Sequence, residues 1–179
     1  LAAPSANIST KISPVSKQDV KEEFGKKIKF ILDGGRSKVG LESTIVNLVN
    51  APEIFRLGGI EIAKINKILK KKLKYNKIKK KPFSPGQGKV HYSPGIPIRL
   101  NANKAKRDEA FILIKKRKLS GKNFYYLTKN KNLKEAARNL YKMLRMIKNK
   151  NFKSIAVEKI PKKGFGEAIN DRLIRASTK

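Results

Sequence analysis

Short blocks of apolar residues in the N-terminal half predict strands and one helix. The run IKFILD (28–33), closed by Gly34 and Gly35, has the pattern of a buried strand followed by a turn. The β-branched STIVNLV (43–49) predicts a second strand, and EIFRL (53–57) predicts a third that pairs with it as a hairpin. The next segment has a helical period and predicts an amphipathic helix with lysines on its outer face. Its inward positions are Ile60, Ile62, Ile65, Ile68, Leu69 and Leu73.

A lysine-rich block from Lys70 to Lys81 follows this helix. Like charges repel one another, so we expect a solvated helix end that runs into a linker. The stretch SPGQGKVHYSPG (84–95), rich in proline and glycine, comes next. The two segments together predict a domain boundary at residues 80–95.

Strands and helices alternate in the C-terminal half, which predicts a small α/β domain. The expected strands are IPIRL (96–100), FILIKK (111–116), FYYLT (124–128) and SIAVEKI (154–160). One helix is expected over residues 133–147 and a second over EAINDRLIRAS, residues 167–177. Their inward residues are Leu133, Ala136, Ala137, Leu140, Leu144 and Ile147 in the first, and Ala168, Leu173 and Ala176 in the second.

Composition excludes several kinds of site. The chain has no cysteine and one histidine, so it can form neither disulfides nor a metal site built on Cys or several His ligands. Mg²⁺ stays open as a cofactor, because it takes oxygen ligands and often binds through substrate phosphates. No run of eighteen apolar residues is present, so no membrane partner is expected. No signal peptide precedes the first segment, and we expect a cytoplasmic location.

The charge balance is extreme, with 44 basic and 13 acidic residues and a formal net charge of +31. Such a field attracts anionic partners such as a nucleotide or RNA, and duplex RNA is a partner that the charge permits. Compositional drift towards Lys, Asn and Ile explains the same numbers equally well. The basic residues are scattered, with no aromatic residues interleaved in the pattern of an RNA-recognition motif. Charge alone therefore does not decide the function.

Five short motifs in a defined order are more specific, although neither a Walker loop nor GxGxxG occurs. They are LAAPSANIS, GLESTIVNL, RLGGI, SPGQGKVHYSP and GFGEAINDRLIRAS. Together they resemble the YrdC-type L-threonylcarbamoyl-AMP synthases, in the longer subclass with a C-terminal accessory domain. The resemblance implies the C-terminal half of a twisted-sheet YrdC-like domain (1–80), a connector that acts as linker and lid (81–95) and a small Rossmann-like α/β domain (96–179).

The resemblance also implies an activity. Enzymes of this family join L-threonine, bicarbonate and Mg²⁺-bound ATP into threonylcarbamoyl-AMP and release pyrophosphate. A separate complex then transfers the threonylcarbamoyl group to an adenosine of tRNA, so tRNA would be an indirect partner.

Candidate site residues follow from the matching motif positions. The ATP-binding set that the resemblance implies is Ser5, Asn7, Ser13, Arg56, His91 and Tyr92. The L-threonine-binding set is Ala3, through its backbone, and Ser43. Each residue type suits its ligand. Hydroxyl and amide groups hydrogen-bond ribose and phosphate oxygens, and a guanidinium binds two phosphate oxygens at once. Structural alternatives are a serine-capped turn for PSAN, a strand-entry hydrogen bond for Ser43 and a surface position for Arg56.

The chain departs from the family pattern in two places. Many relatives have SPGMKYRHY where this chain has SPGQGKVHY, and the N-terminal Lys/Arg motif of the family has no counterpart. The chain opens on LAAPSANIS without an initiator Met, and we expect it to be part of a longer protein. Residues 1–179 alone are expected to make no threonylcarbamoyl-AMP, while residues 96–179 still fold.

Two other functions are open. An RNA-binding module without catalysis would show a steep salt dependence of RNA binding and would tolerate Ser43→Ala. A carbamoyl-adenylate-forming protein of metallocentre maturation is disfavoured by the lid, by the closing motif and by the absence of zinc-finger cysteines.

Overall fold

The computed structural model describes residues 3–49, 51–75, 86, 88, 91–119 and 121–178, which form a mixed α/β structure with two sheets. The first sheet has the order β1-β2-β3, with β1 and β2 antiparallel and β2 and β3 parallel. The predicted hairpin is therefore confirmed. The elements of this half are α1 (Lys17–Phe24), a 3₁₀ turn (Gly25–Lys27), β1 (Ile45–Asn47), β2 (Glu53–Arg56), α2 (Ile62–Leu69) and β3 (Lys74–Tyr75).

The second sheet is entirely parallel, with the order β4-β7-β5-β6. Its strands are β4 (Ile98–Arg99), β5 (Glu109–Lys115), β6 (Phe124–Thr128) and β7 (Ser154–Val157). All four predicted strands of this half are present, three of them with shifted ends. The helices are α3 (Leu133–Lys148) and α4 (Phe165–Ser177), and both pack on one face of the sheet in the main hydrophobic core.

Helix α3 forms where the sequence predicts it, because its N-cap residue and its apolar periodicity both indicate the same segment. The Asn132 side chain caps it by accepting hydrogen bonds from the backbone N–H groups of Lys134 and Glu135. The six predicted inward positions include five that are buried, and Leu133 packs against the same core. Helix α4 likewise buries its three predicted positions, and it also buries Asp171, Arg172 and Arg175.

The strand predicted at 28–33 is wrong. No strand among the described residues pairs with this segment, so its backbone has no ladder, and only Ile28 and Ile31 of its apolar side chains are half-buried. Phe30 is 89% exposed and Leu32 is 96% exposed.

The helix predicted from Ile60 is shorter than the pattern indicates. It begins at Ile62 and ends at Leu69, because Lys70 takes a left-handed conformation with φ of 48°. Ile60 lies before the helix and is exposed, and Ile68 lies within it but on a face that no described residue covers.

The lysine-rich block after α2 is not wholly solvated. Leu73 is buried, and Tyr75 belongs to β3 beside β2. Residues 76–85, which contain the end of this block and the start of the linker predicted at 81–95, lie outside the described residues, as do residues 87, 89 and 90.

No helix among the described residues is long and apolar enough to cross a membrane.

We expect Leu140→Ala to lower the free energy of unfolding by about 2–5 kcal/mol, because it leaves a cavity in the core between α3 and the sheet. The matched control is Leu32→Ala, which removes the same atoms from a solvent-exposed position and should change stability by less than about 0.5 kcal/mol. Denaturant unfolding of both variants measures the difference. Equal losses would mean that Leu32 is packed in solution.

Candidate functional site

Ser43 and Arg56 form the first part of the site. Arg56 ends β2, and its guanidinium donates hydrogen bonds from Nε to the Ser43 carbonyl and from Nη2 to Ser43 Oγ, both at 2.9 Å. The β1–β2 hairpin brings the two residues together. Gly58 permits the close approach, since a Cβ there would lie 2.3 Å from the Glu42 carbonyl oxygen.

The connector reaches the same place. Gly86 has φ of +86°, and a Cβ on it would lie 2.4 Å from the Tyr92 hydroxyl and 3.2 Å from Arg56 Cδ. Gly86 therefore packs between the ends of these two side chains. Tyr92 is only 1% exposed, and burial raises its pKa to about 12, so its hydroxyl stays protonated.

His91 is half-buried beside Tyr92. Its Nδ1 accepts a hydrogen bond from the Tyr92 backbone N–H at 3.0 Å, and the two ring centroids are 4.0 Å apart. Burial lowers the pKa of His91 below its ordinary value of 6.5. The negative charge of Glu42 raises this pKa, while the positive charges of Arg172, Arg175 and Arg56 lower it further. At neutral pH the ring is uncharged.

Glu42 is the acceptor for three partners from different parts of the chain. Ser13 Oγ donates to it at 2.6 Å, the Tyr141 hydroxyl at 3.0 Å and Arg172 Nε at 3.1 Å. Burial alone would raise the pKa of Glu42, but the charge of Arg172 and the Ser13 hydrogen bond bring it below its ordinary 4.5. Glu42 is therefore a largely buried carboxylate, with its side chain 14% exposed and its charge retained.

The Arg172 side chain of α4 is fully buried and has a partner for each nitrogen. Nε donates to Glu42 and to the Tyr141 hydroxyl, Nη1 to Asp171 at 2.8 Å and Nη2 to the Leu57 carbonyl at 2.6 Å. Its Cζ lies 4.8 Å from the centroid of the Tyr92 ring. This cation–π contact joins α4 to the connector.

Asp171 extends the network to β3 and to the connector. It accepts hydrogen bonds from the Tyr75 hydroxyl at 2.6 Å and from Arg175 Nε at 3.2 Å. Arg175 in turn donates from Nη1 to the Gly88 carbonyl at 2.7 Å. Helix α4 thus holds the connector at Gly88 as well as at Tyr92.

The N-terminal segment lies next to the connector. Ala3 and Ser5 are exposed. Asn7 Nδ2 donates to the Ile8 and Lys11 carbonyls, while its Oδ1 is buried without a hydrogen-bond partner. Lys11 forms a parallel β-bridge with Ser93, the residue that follows Tyr92, so the N-terminal segment runs beside the connector.

The structure therefore brings several predicted residues together. Arg56 and Tyr92 meet at Gly86, and Ser43 accepts hydrogen bonds from Arg56. Ser13 joins them through Glu42 and Arg172. Sequence reasoning missed the charged network of Glu42, Tyr75, Tyr141, Asp171, Arg172 and Arg175. A signal was present, because Glu42 lies inside GLESTIVNL and three of the others lie in or next to the closing NDRLIR.

Comparison with known proteins decides the family. A family model described as "Threonylcarbamoyl-AMP synthase, C-terminal domain" matches residues 60–178. A second, described as "Telomere recombination" (Sua5/YciO/YrdC), matches residues 1–58. The chain belongs to the threonylcarbamoyl-AMP synthase family.

Individual relatives agree with this assignment. The chain is 34% identical to the threonylcarbamoyl-AMP synthase of Pyrococcus abyssi and 30% identical to that of Bacillus subtilis, in both cases over 99% of the chain. The Schizosaccharomyces pombe enzyme is 31% identical. The chain spans 57%, 57% and 52% of these proteins, respectively.

Solved structures show the same fold. Sua5 of P. abyssi in complex with L-threonine superposes with a TM-score of 0.83 at 31% identity, over 98% of this chain and 57% of that one. A variant of the same protein with a His and the adjacent Tyr changed to Ala has a TM-score of 0.80, over 98% of this chain and 56% of that one.

We expect Arg172→Met to destabilise the protein by about 3–5 kcal/mol, because it removes the cation that pairs with Glu42 and leaves Asp171 with Arg175 alone. The matched control is Arg117→Met, which breaks an Arg–Glu pair whose arginine is 42% exposed and should cost less than about 1 kcal/mol. Denaturant unfolding compares them. Adding Glu42→Gln to Arg172→Met should recover part of the loss, and strict additivity of the two changes would contradict the proposed coupling.

The single histidine allows a clean pH experiment. Because the pKa of His91 is lower in the folded state, the unfolded chain binds more protons below pH 6.5. The free energy of unfolding should therefore fall as the pH falls below 6.5, before carboxyl groups titrate at about pH 4. His91→Gln should abolish this slope. An unchanged slope in the variant would show that groups other than His91 produce it, and absence of a slope in the parent protein would show that the His91 pKa is not lowered by folding.

Proposed function

We propose that the protein carrying these residues synthesises threonylcarbamoyl-AMP from L-threonine, bicarbonate and ATP. The observation that carries the proposal is that Arg56 links two other motifs, because it hydrogen-bonds Ser43 and lies beside Tyr92 at Gly86. Family membership supplies the reaction.

The reaction needs two bond-forming steps. The threonine amine attacks the bicarbonate carbon and water leaves, which gives a carbamate. A carbamate oxygen then attacks the α-phosphorus of ATP, the bond from that phosphorus to the bridging oxygen breaks, and pyrophosphate leaves. The protein has little covalent work to do, so catalysis rests on positioning and on cationic stabilisation of the phosphates.

Each candidate residue then has a role. The Arg56 guanidinium binds phosphate oxygens, and Ser43 Oγ hydrogen-bonds threonine near the Ala3 backbone. Asn7 Oδ1, buried without a partner, accepts a hydrogen bond from a nucleotide hydroxyl. Ser5 and Ser13 are also ATP contacts in this proposal, although the Ser13 hydroxyl already donates to Glu42.

The connector acts as a lid in this proposal. His91 and Tyr92 lie over the nucleotide, between a catalytic part at 1–80 and a Rossmann-like accessory domain at 96–179. The neutral His91 ring is suited to hydrogen bonding with a nucleotide and not to binding its phosphates as a cation.

Mg²⁺ enters this proposal with ATP. No group of three or more His, Cys, Asp or Glu side chains suited to a metal occurs among the described residues. Phosphate oxygens would therefore supply most of the ligands, and the ion would neutralise charge on the departing pyrophosphate. The product would pass to tRNA through a separate complex, in the cytoplasm.

The test is pyrophosphate release with L-threonine, bicarbonate and Mg-ATP, by the protein as its gene encodes it. Arg56→Gln should lower kcat/KM by about 10- to 150-fold, the value of one charge-assisted hydrogen bond. The matched control is Arg36→Gln, an exposed arginine whose single recorded hydrogen bond, to the Arg138 carbonyl, is 3.5 Å long.

Ser43→Ala separates this proposal from an RNA-binding role. We expect it to raise the KM for threonine more than that for ATP. Pyrophosphate release that is independent of threonine, or that is unaffected by both Arg56→Gln and Ser43→Ala, would contradict the proposal.

A further inference from the structure

Among the residues that the structure describes, helices cover only one face of the parallel sheet β4-β7-β5-β6. Parallel sheets usually have helices on both faces, because their crossover connections are helical. Here α3 and α4 pack against Ile112, Leu127 and Ile155 on one side. The opposite face carries a separate apolar cluster with no helix in it, and we call it the loop face.

Irregular crossovers cover the loop face instead. The connection from β4 to β5 runs through residues 100–108, and its Ala102 and Ala105 pack on the cluster formed by Phe111, Leu113 and Ala156. The connection from β5 to β6 runs through residues 116–123. It is held to the same face by a hydrogen bond from the Tyr126 hydroxyl to the Arg117 carbonyl.

Two aromatic rings remain accessible on this face. Phe124 and Tyr126 of β6 pack against the cluster but are only half-buried. Together with the residues Lys116 to Leu119 they line an open groove of about 510 Å³. A groove with ring faces on its wall can accept flat ligands by stacking.

The two crossovers are strongly basic. Their exposed cations are Lys104, Lys106, Arg107, Lys116, Lys118 and Lys122, and among the described residues none of these forms an ion pair. The one acidic side chain in the crossovers, Asp108, pairs with Lys153. Arg117 pairs with Glu158. The rim of the groove therefore has uncompensated positive charge.

We propose that the loop face binds single-stranded RNA. Bases would stack on Phe124 and Tyr126, and phosphates would lie along the lysines of the crossovers. A single strand fits better than a duplex, because the bases of a duplex are stacked on each other and cannot cover the protein rings. An acidic peptide would match the charge, but it would leave the rings without a partner.

The experiment titrates the 179-residue chain with a short, unstructured, fluorescent single-stranded RNA, without ATP or threonine, so its outcome does not depend on synthase activity. The test variant changes Lys116, Lys118 and Lys122 to Gln. The matched control changes Lys134, Lys142 and Lys148 to Gln. These lysines lie exposed on α3, so the control removes the same net charge from the helical face.

We expect the loop-face variant to bind at least tenfold more weakly and its log–log salt slope to be smaller by about 2, since each phosphate contact contributes about 0.7 for single strands. The control should keep most of the affinity. Phe124→Leu removes the ring but keeps an apolar side chain, and it should weaken binding at least about fivefold. Tyr126→Phe keeps the ring but loses the hydrogen bond to the Arg117 carbonyl, and it should leave binding within about twofold. Thermal unfolding confirms that the variants are folded.

Three results would overturn the proposal. Equal losses in the two triple variants would mean that only net charge matters. Equal or tighter binding of a duplex of the same sequence would contradict the stacking geometry. Absence of binding by the unchanged chain at low salt would exclude the site.

Discussion

The buried guanidinium of Arg172 is the interaction on which the described structure depends most. It neutralises Glu42 and Asp171, caps the Leu57 carbonyl at the end of β2 and lies over the Tyr92 ring. A buried ion network is stable only while every charge in it is matched, because the desolvation cost of each ion is several kcal/mol. The network therefore specifies how the two sheets and the connector are placed relative to one another.

This arrangement links the C-terminal domain to the candidate site. Arg172 and Arg175 belong to α4, yet they hold Tyr92 and Gly88 of the connector, and Tyr92 lies beside Arg56. Misplacement of a reacting group by about 1 Å can cost 10²-fold in rate. Helix α4 can thus position the connector and Arg56 without itself contributing Ser43, Arg56 or Tyr92 to the candidate site.

The basic residues divide into two populations. Arg145, Arg172 and Arg175 are buried, and each is paired with a carboxylate. The lysines of the crossovers are exposed and form no ion pair among the described residues. A net charge of +31 is therefore not a uniform property of the molecule. Part of it stabilises the interior, and the remainder produces the outer field that attracts anions.

Several features were determined by the sequence itself. The strand-like pattern of FYYLT specifies β6. The Asn132 cap and the apolar face of residues 133–147 specify α3, because both signals indicate the same segment. Ordered motifs also indicate the family and the candidate residues. The exposure of Phe30 and Leu32 and the early end of α2 required the tertiary structure, since burial of an apolar run depends on a partner that local pattern does not contain. The same holds for Glu42 and Arg172, which are 130 residues apart in the chain and meet only because the fold buries both charges in one place.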